Sequence, residues 1–276
     1  MKVQDFLNAK RHSRKLTMLT AYDAPTAELL ENAGVDIILV GDSLGMVVLG
    51  YPSTVFVTMD EMIHHAKAVR RGAKHAFIVG DIPLEGVKKG PKQALVSARR
   101  FMEEAGCDAV KLEWNENGVK MVDGLRRHRI PVMGHIGLTP QTAKNKDAFR
   151  VQGRDAQSAL EILETAKTLE RHGVFSLLVE CVPSPVAKVV TRSVHVPTIG
   201  IGAGVDCDGQ VLVFHDLAGI FTKFTPRFVK QYARTHEELN KAIRKYIKEV
   251  RTGQFPDDKH SFHMKPNERR KFESLL

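Results

Sequence analysis

A chain of 276 residues is long enough for one large α/β domain or two ordinary ones, and with 43% apolar residues it can bury a substantial core. Charges of both signs are spread along it rather than blocked into tails, which argues against extensive disorder, and no apolar run approaches the ~20 residues of a membrane helix. The excess of 41 Lys and Arg over 32 Asp and Glu, formally +9, lies on helix-like stretches such as HHAKAVRRGAKH, DGLRRHR and KAIRKYIKEVR, so it reads as solvated surface rather than a nucleic-acid footprint.

The first residues, MKVQDFLNAKRHSRKL, carry charges where a secretory signal needs its apolar stretch, and Asp5 argues against an organellar leader, so a cytoplasmic location is expected. Short apolar strands then alternate with helical stretches. LTMLTAY (Leu16 to Tyr22) leads into DAPTAELLENAG, with Asp23 as N-cap, Pro25 in the first turn and Gly34 as the stop. IILVG (Ile37 to Gly41), AFIVGD (Ala76 to Asp81), AVKLE (Ala109 to Glu113) and VMGHI (Val132 to Ile136) follow. SLLVE (Ser176 to Glu180), TIGIGAG (Thr198 to Gly204) and VLVF (Val211 to Phe214) complete the set, and KQYARTHEELNKAIRKYIKEVRTG is expected to supply the closing helix.

Continuous apolar strands separated by helices read as a parallel sheet covered on both faces. Eight of them in a chain of this length predict a (β/α)8 TIM barrel, one α/β domain over residues 1–276 with a short basic extension from about residue 262. An open doubly wound sheet would carry a glycine fingerprint after its first strand, and TAYDAPTAEL has none. GIGAG, at Gly200 to Gly204, lacks the full dinucleotide spacing; close backbone packing and a substrate- or phosphate-facing loop both remain open for it. Cys107, Cys181 and Cys207 have no paired spacing and suit packing in a reducing compartment.

Active sites of this fold gather at the C-terminal ends of the strands. Asp42 and Ser43 follow the second strand, Asp81 ends the third, Lys111 and Glu113 close the fourth, His135 nears the end of the fifth and Glu180 ends the sixth. A single acid at a strand end is usually a cap or a paired surface charge; five successive strands aiming ionisable groups at one mouth are harder to explain that way. Asp42, Asp81 and Glu113 repel one another unless a cation lies between them, and their hard oxygens suit Mg²⁺ better than zinc. Such an ion grips a carbonyl and a carboxylate together, so an α-keto acid fits, and its neighbouring C–H becomes acidic. Glu180 is the candidate base, while Lys111 and His135 would meet the substrate's oxygens; taken alone they read as a buried ion pair and a satisfied core histidine.

The run LTAYDAPTAELLENAGVDIILVGDSLGMVVLGYPSTVFVTMDEMIHHAKAVRRG resembles the ketopantoate hydroxymethyltransferase family, as do VKLE, PVMGHIGLTPQ, VQGRD, LLVECVP, IGIGAG and DGQVLVFHDLAG. The resemblance spans nearly the whole chain. It implies a (β/α)8 barrel, Mg²⁺, 3-methyl-2-oxobutanoate as substrate, 5,10-methylenetetrahydrofolate as one-carbon donor, and a homo-oligomer, commonly a decamer. Residue by residue, it places the metal ligands on Asp42, Asp81 and Glu113, the keto-acid contacts on Asp42, Ser43, Asp81, Lys111 and His135, and the proton acceptor on Glu180.

Departures from the family pattern fall in mouth loops. EWNENG stands where a short glycine pair is common, KNKDAFRVQGRD lacks the glycines usual before VQG, and GDIPL lacks the usual aromatic. They bear on folate affinity and lid closure rather than on the metal site. Two other readings stay open: a Mg²⁺-dependent α-keto acid lyase or mutase of the phosphoenolpyruvate-binding barrel type, and a basic barrel that binds nucleic acid through a degenerate site.

Overall fold

The computed structural model describes residues 1–141 and 150–276. Helix α1 (Val3–Arg11) precedes β1 (Leu16–Thr20), and α2 (Ala24–Asn32), β2 (Ile37–Val40), the one-turn α3 (Leu44–Val47), α4 (Met59–Gly72) and β3 (Phe77–Asp81) follow. Then come α5 (Leu84–Val87), α6 (Pro91–Arg99), β4 (Ala109–Glu113), α7 (Gly118–Arg127), β5 (Val132–Gly137), α8 (Ala156–Arg171), β6 (Ser176–Glu180) and α9 (Ser184–Ser193). The chain ends with β7 (Thr198–Ile201), β8 (Gly209–Leu212), α10 (Phe214–Leu217), α11 (Thr235–Arg251) and α12 (Pro266–Glu273). The strands pair in parallel and in sequence order, and β8 returns to β1 to close the barrel. Among the described residues no helix is long and apolar enough to cross a membrane.

The period of two along each strand divides the core. Phe77 and Val79 of β3, Ala109 of β4, Met133 of β5 and Leu178 of β6 fill the interior, while Ile78, Val110, Leu112, Leu177 and Val179 pack outward under the helices. Continuing the inward set along the same strands reaches Asp81, Lys111, Glu113, His135 and Glu180. The register keeps them level, because Asp81 pairs with Lys111 and Glu113 with His135. At the other end α1 plugs the barrel: Phe6 is fully buried, its ring 4.8 Å from Phe77 and 4.9 Å from Phe175, both edge to face.

Asp23 caps α2 as expected, its carboxylate accepting from Thr26 N at 2.8 Å. The glycines of GIGAG pack closely: a Cβ on Gly200 would meet Cys207 Sγ at 3.0 Å and one on Gly202 would meet Phe228 at 2.9 Å, while Ile201 between them lines the cavity at the mouth. The closing helix is corrected. The expected segment forms α11, but none of its residues is buried, so it does not close the barrel from which it extends. Residues 202–208 join β7 to β8 without a helix, and Thr17 and Gln210, paired on the outer face of β1 and β8, are exposed.

Candidate active site

The residues GDSLG turn the chain sharply off β2. Leu44 N and Gly45 N donate back to Gly41 O and Asp42 O at 3.1 and 3.0 Å, which starts α3 and leaves Asp42 and Ser43 at the barrel mouth. Asp42 is buried, and its backbone N–H donates to Asp81 Oδ2 at 3.2 Å. Lys111 Nζ lies 2.9 Å from Asp81 Oδ1, close enough for an ion pair although not aligned as a hydrogen bond. The same ammonium is 3.3 Å from His135 Nδ1, and Glu113 Oε1 approaches that nitrogen at 3.5 Å. His135 Nε2 then faces Glu180 Oε2 at 3.1 Å, again out of line for a full hydrogen bond. Ser43 Oγ is 2.8 Å from the Tyr22 hydroxyl, whose ionisation burial opposes.

The structure thus brings all the candidate residues to one mouth. Asp42, Ser43 and Glu180 line a cavity of about 570 Å³, with Asp81, Lys111, Glu113 and His135 buried beside it. Two residues of this cluster escaped the sequence argument. Gln141 Nε2 donates to Asp42 Oδ2 at 2.9 Å and to Ile82 O at 3.0 Å, while its backbone N–H donates to Glu113 Oε2 at 3.1 Å. Tyr22, at the end of the first apolar run, supports Ser43. Gln141 lies in the quoted LTPQ, and a polar residue directly after the proline beyond a strand end was its one available signal.

Electrostatics decide what the cluster lacks. Burial first, then Asp81, pushes the Asp42 carboxyl well above the usual carboxylate range. Burial opposes the charge on Lys111, but Asp81, Glu113 and Asp42 outweigh it and keep the ammonium protonated. Burial and Lys111 also oppose charge on His135, yet the Glu113 and Glu180 carboxylates prevail and hold the imidazole up at about 9. With Lys111 against Nδ1, the Nε2 hydrogen faces Glu180 in either protonation state.

Four carboxylates therefore face two cations, formally two negative charges too many for a buried cluster. A divalent cation held through Asp42 and Asp81 would balance them and stands in place of a proton on Asp42. Among the described residues no three His, Cys, Asp or Glu side chains are arranged to hold a metal together. Glu113 is turned toward Gln141 and His135 instead. Two carboxylates, with water and substrate oxygens completing the set, are the donors Mg²⁺ accepts.

A sequence profile described as ketopantoate hydroxymethyltransferase matches residues 1–258. The chain is 51% identical over 267 residues to the 3-methyl-2-oxobutanoate hydroxymethyltransferase of Oleidesulfovibrio alaskensis, covering 97% of this chain and 92% of that one. It is 51% identical over 264 residues to the enzyme of that name from Bacillus cereus, covering 96% and 95%. The phosphoenolpyruvate phosphomutase of Streptomyces platensis superposes with a TM-score of 0.65 over 100% of this chain and 98% of its own, at 16% identity, a likeness of fold alone. On the profile match and the identities, the chain belongs to the ketopantoate hydroxymethyltransferase family of enzymes.

Proposed function

We propose that the chain transfers a hydroxymethyl group from 5,10-methylenetetrahydrofolate to 3-methyl-2-oxobutanoate, giving 2-dehydropantoate and tetrahydrofolate, as a cytoplasmic enzyme of pantothenate synthesis. The observation that carries this reading is the buried Asp42–Asp81 pair next to the Lys111–His135–Glu180 line, all at one mouth. Asp42 and Asp81 would hold a Mg²⁺ ion, with Glu113 near it, and the bound ion supplies Lewis-acid polarisation of the keto acid's carbonyl. Lys111 presents its ammonium to the substrate's carboxylate and carbonyl oxygens. Ser43, held by Tyr22, donates to the same end of the substrate. Glu180 takes the C3 proton, with His135 Nε2 3.1 Å from that carboxylate as its charged neighbour. Water adds to the methylene carbon and its bonds to N5 and N10 break, which frees tetrahydrofolate and a formaldehyde unit that carries water's oxygen; the C3 carbanion attacks that carbonyl carbon, and the proton taken by Glu180 returns to the new alkoxide.

The test separates the two halves of the reaction. In D₂O with Mg²⁺ and without folate, the enzyme should exchange the C3 proton of 3-methyl-2-oxobutanoate, and with 5,10-methylenetetrahydrofolate it should release tetrahydrofolate. Chelator should stop both, and Mg²⁺ should restore them. Glu180→Gln should slow exchange by roughly 10²–10⁴-fold while keto-acid binding survives. Exchange by Glu180→Gln at the wild-type rate would assign the base to another group, and full turnover without divalent ions would remove the metal from the reading.

The same reading takes the chain as a homo-oligomer, a decamer by family likeness. What supports self-association is an apolar stripe on α11 that its own barrel leaves bare, together with the exposed Thr17–Gln210 pair on the outer face of β1 and β8.

A further inference from the structure

The cavity lining includes one more carboxyl, that of Asp216, to which the reading above gives no role. Helix α10 begins where β8 ends. Phe214 N donates to Thr20 Oγ1 at 3.0 Å, and Asp216 N donates to Val213 O at 3.1 Å, so the backbone carrying Asp216 is fixed. Asp216 is only 8% exposed and lines the cavity that also holds Asp42, Ser43 and Glu180. Among the described residues its carboxyl has no hydrogen-bond or ion-pair partner, and burial alone lifts it to about 6. A desolvated carboxyl without a partner costs stability, and a bound ligand that supplies donors would recover that cost.

The surroundings narrow the ligand. Met46, Val47, Val213, Phe221, Phe224 and Phe228 supply apolar and aromatic walls to the same cavity. Walls of that kind suit a flat heterocycle. The polar end of an α-keto acid offers only acceptor oxygens, which a carboxylate repels. One carboxylate among apolar side chains is also too few oxygens for a second cation site. A pterin has the opposite character: its 2-amino group and adjacent ring N–H form an amidine edge with two parallel donors, matched to the two oxygens of one carboxylate.

We propose that Asp216 is the specificity-determining residue for the one-carbon donor, its carboxylate binding the amidine edge of the pterin while the aromatic walls hold the ring beside Glu180. This rests on the reading given under Proposed function, and it puts the pterin in the same cavity as the keto-acid site, with α10 as its wall.

The experiment compares tetrahydrofolate with 2-desamino-2-methyltetrahydrofolate, which lacks one donor of that edge, by titration onto full-length wild type, Asp216→Asn and Asp216→Ala in the presence of Mg²⁺ and keto acid. Wild type should prefer tetrahydrofolate by roughly 10–100-fold. Asp216→Ala should lose that preference and bind tetrahydrofolate about as weakly as wild type binds the analogue. Asp216→Asn preserves volume and gives the same readout if the alanine variant does not fold. The apparent KM for 5,10-methylenetetrahydrofolate should rise with the loss of binding, whereas that for 3-methyl-2-oxobutanoate should stay within about 2-fold. C3 exchange without folate reports whether the keto-acid site is still built. A wild type that binds no tetrahydrofolate overturns the functional reading and this assignment with it. A wild type that binds it, beside variants that keep the preference, overturns the assignment alone.

Discussion

Gln141 joins three walls of the mouth with one side chain and one peptide, donating to Asp42, to the Ile82 carbonyl and, through its backbone, to Glu113. Its amide is the neutral donor that lets Asp42 be buried next to Asp81. Gln141→Leu should therefore leave two buried acceptors short of a donor, at a cost of about 1–3 kcal/mol in stability. It should also weaken Mg²⁺ activation by roughly tenfold, since Asp42 would lose its orientation. Gln141→Glu should be worse than leucine, because it adds a carboxylate where a donor stood. Thermal unfolding and Mg²⁺ titration of turnover measure both effects, and a Gln141→Glu enzyme with wild-type Mg²⁺ response would show that the amide does not set Asp42. At this scale the strand-borne site residues were legible because the period of two carries an inward apolar set directly to Asp81, Lys111, Glu113, His135 and Glu180. Gln141 and Asp216 were not. They sit in a turn and on a one-turn helix, where no periodicity says which way a side chain faces.

Elements follow the same logic. β4 and β6 have the boundaries the sequence indicates, but β8 runs over Gly209–Leu212, two residues before the expected VLVF. The partners decide it. Gly209 pairs with both Leu16 and Ile199, and a Cβ there would lie 2.6 Å from Leu16 O, so glycine holds a strand position that an apolar pattern cannot flag. Helix α1 was not anticipated, because its burial is that of a plug spaced by Phe6 and Ala9 rather than of a crossover helix. Of the loop KNKDAFRVQGRD, residues 144–149 lie outside the described residues.

The crossing of α2 and α4 gives the prediction at element scale. Gly72, the last residue of α4, stands against the backbone of Ala24 at the start of α2, where a Cβ would come within 2.7 Å of Ala24 Cα. Alanine has the better helix propensity by about 1 kcal/mol, but a backbone cannot swing aside as a side chain can. Gly72→Ala should therefore lower stability by about 1–3 kcal/mol, lowering the melting temperature by several degrees, while C3 exchange proceeds normally at temperatures where the variant is folded. A melting temperature equal to or above wild type would mean that the two helices separate at little cost.

For the whole molecule, the sequence indicated a helix within residues 230–253, realised as α11 over Thr235–Arg251, but it could not show whose core that helix serves. Leu239, Ile243, Tyr246, Ile247 and Val250 share one face of α11, and Tyr246 is 56% exposed. An apolar stripe of this length is rarely left in water by a monomer. The same chain leaves Thr17 and Gln210 exposed on the outer face of β1 and β8, and residues 202–208 before β8 form no crossover helix, so each copy has an unpartnered helix and a partly open place on its barrel. A second copy would satisfy both needs, which is the physical argument for the homo-oligomer proposed above. Sedimentation at micromolar concentration should show the wild type assembled. Ile243→Glu and Tyr246→Glu together should shift it to smaller species by placing two charges in a desolvated contact. Because α11 has no residue buried in its own chain, the dissociated barrel should keep its circular-dichroism spectrum, so loss of assembly and loss of fold are told apart. A wild type that sediments as a monomer, or a double variant that stays assembled, would show that α11 is covered by something other than another copy.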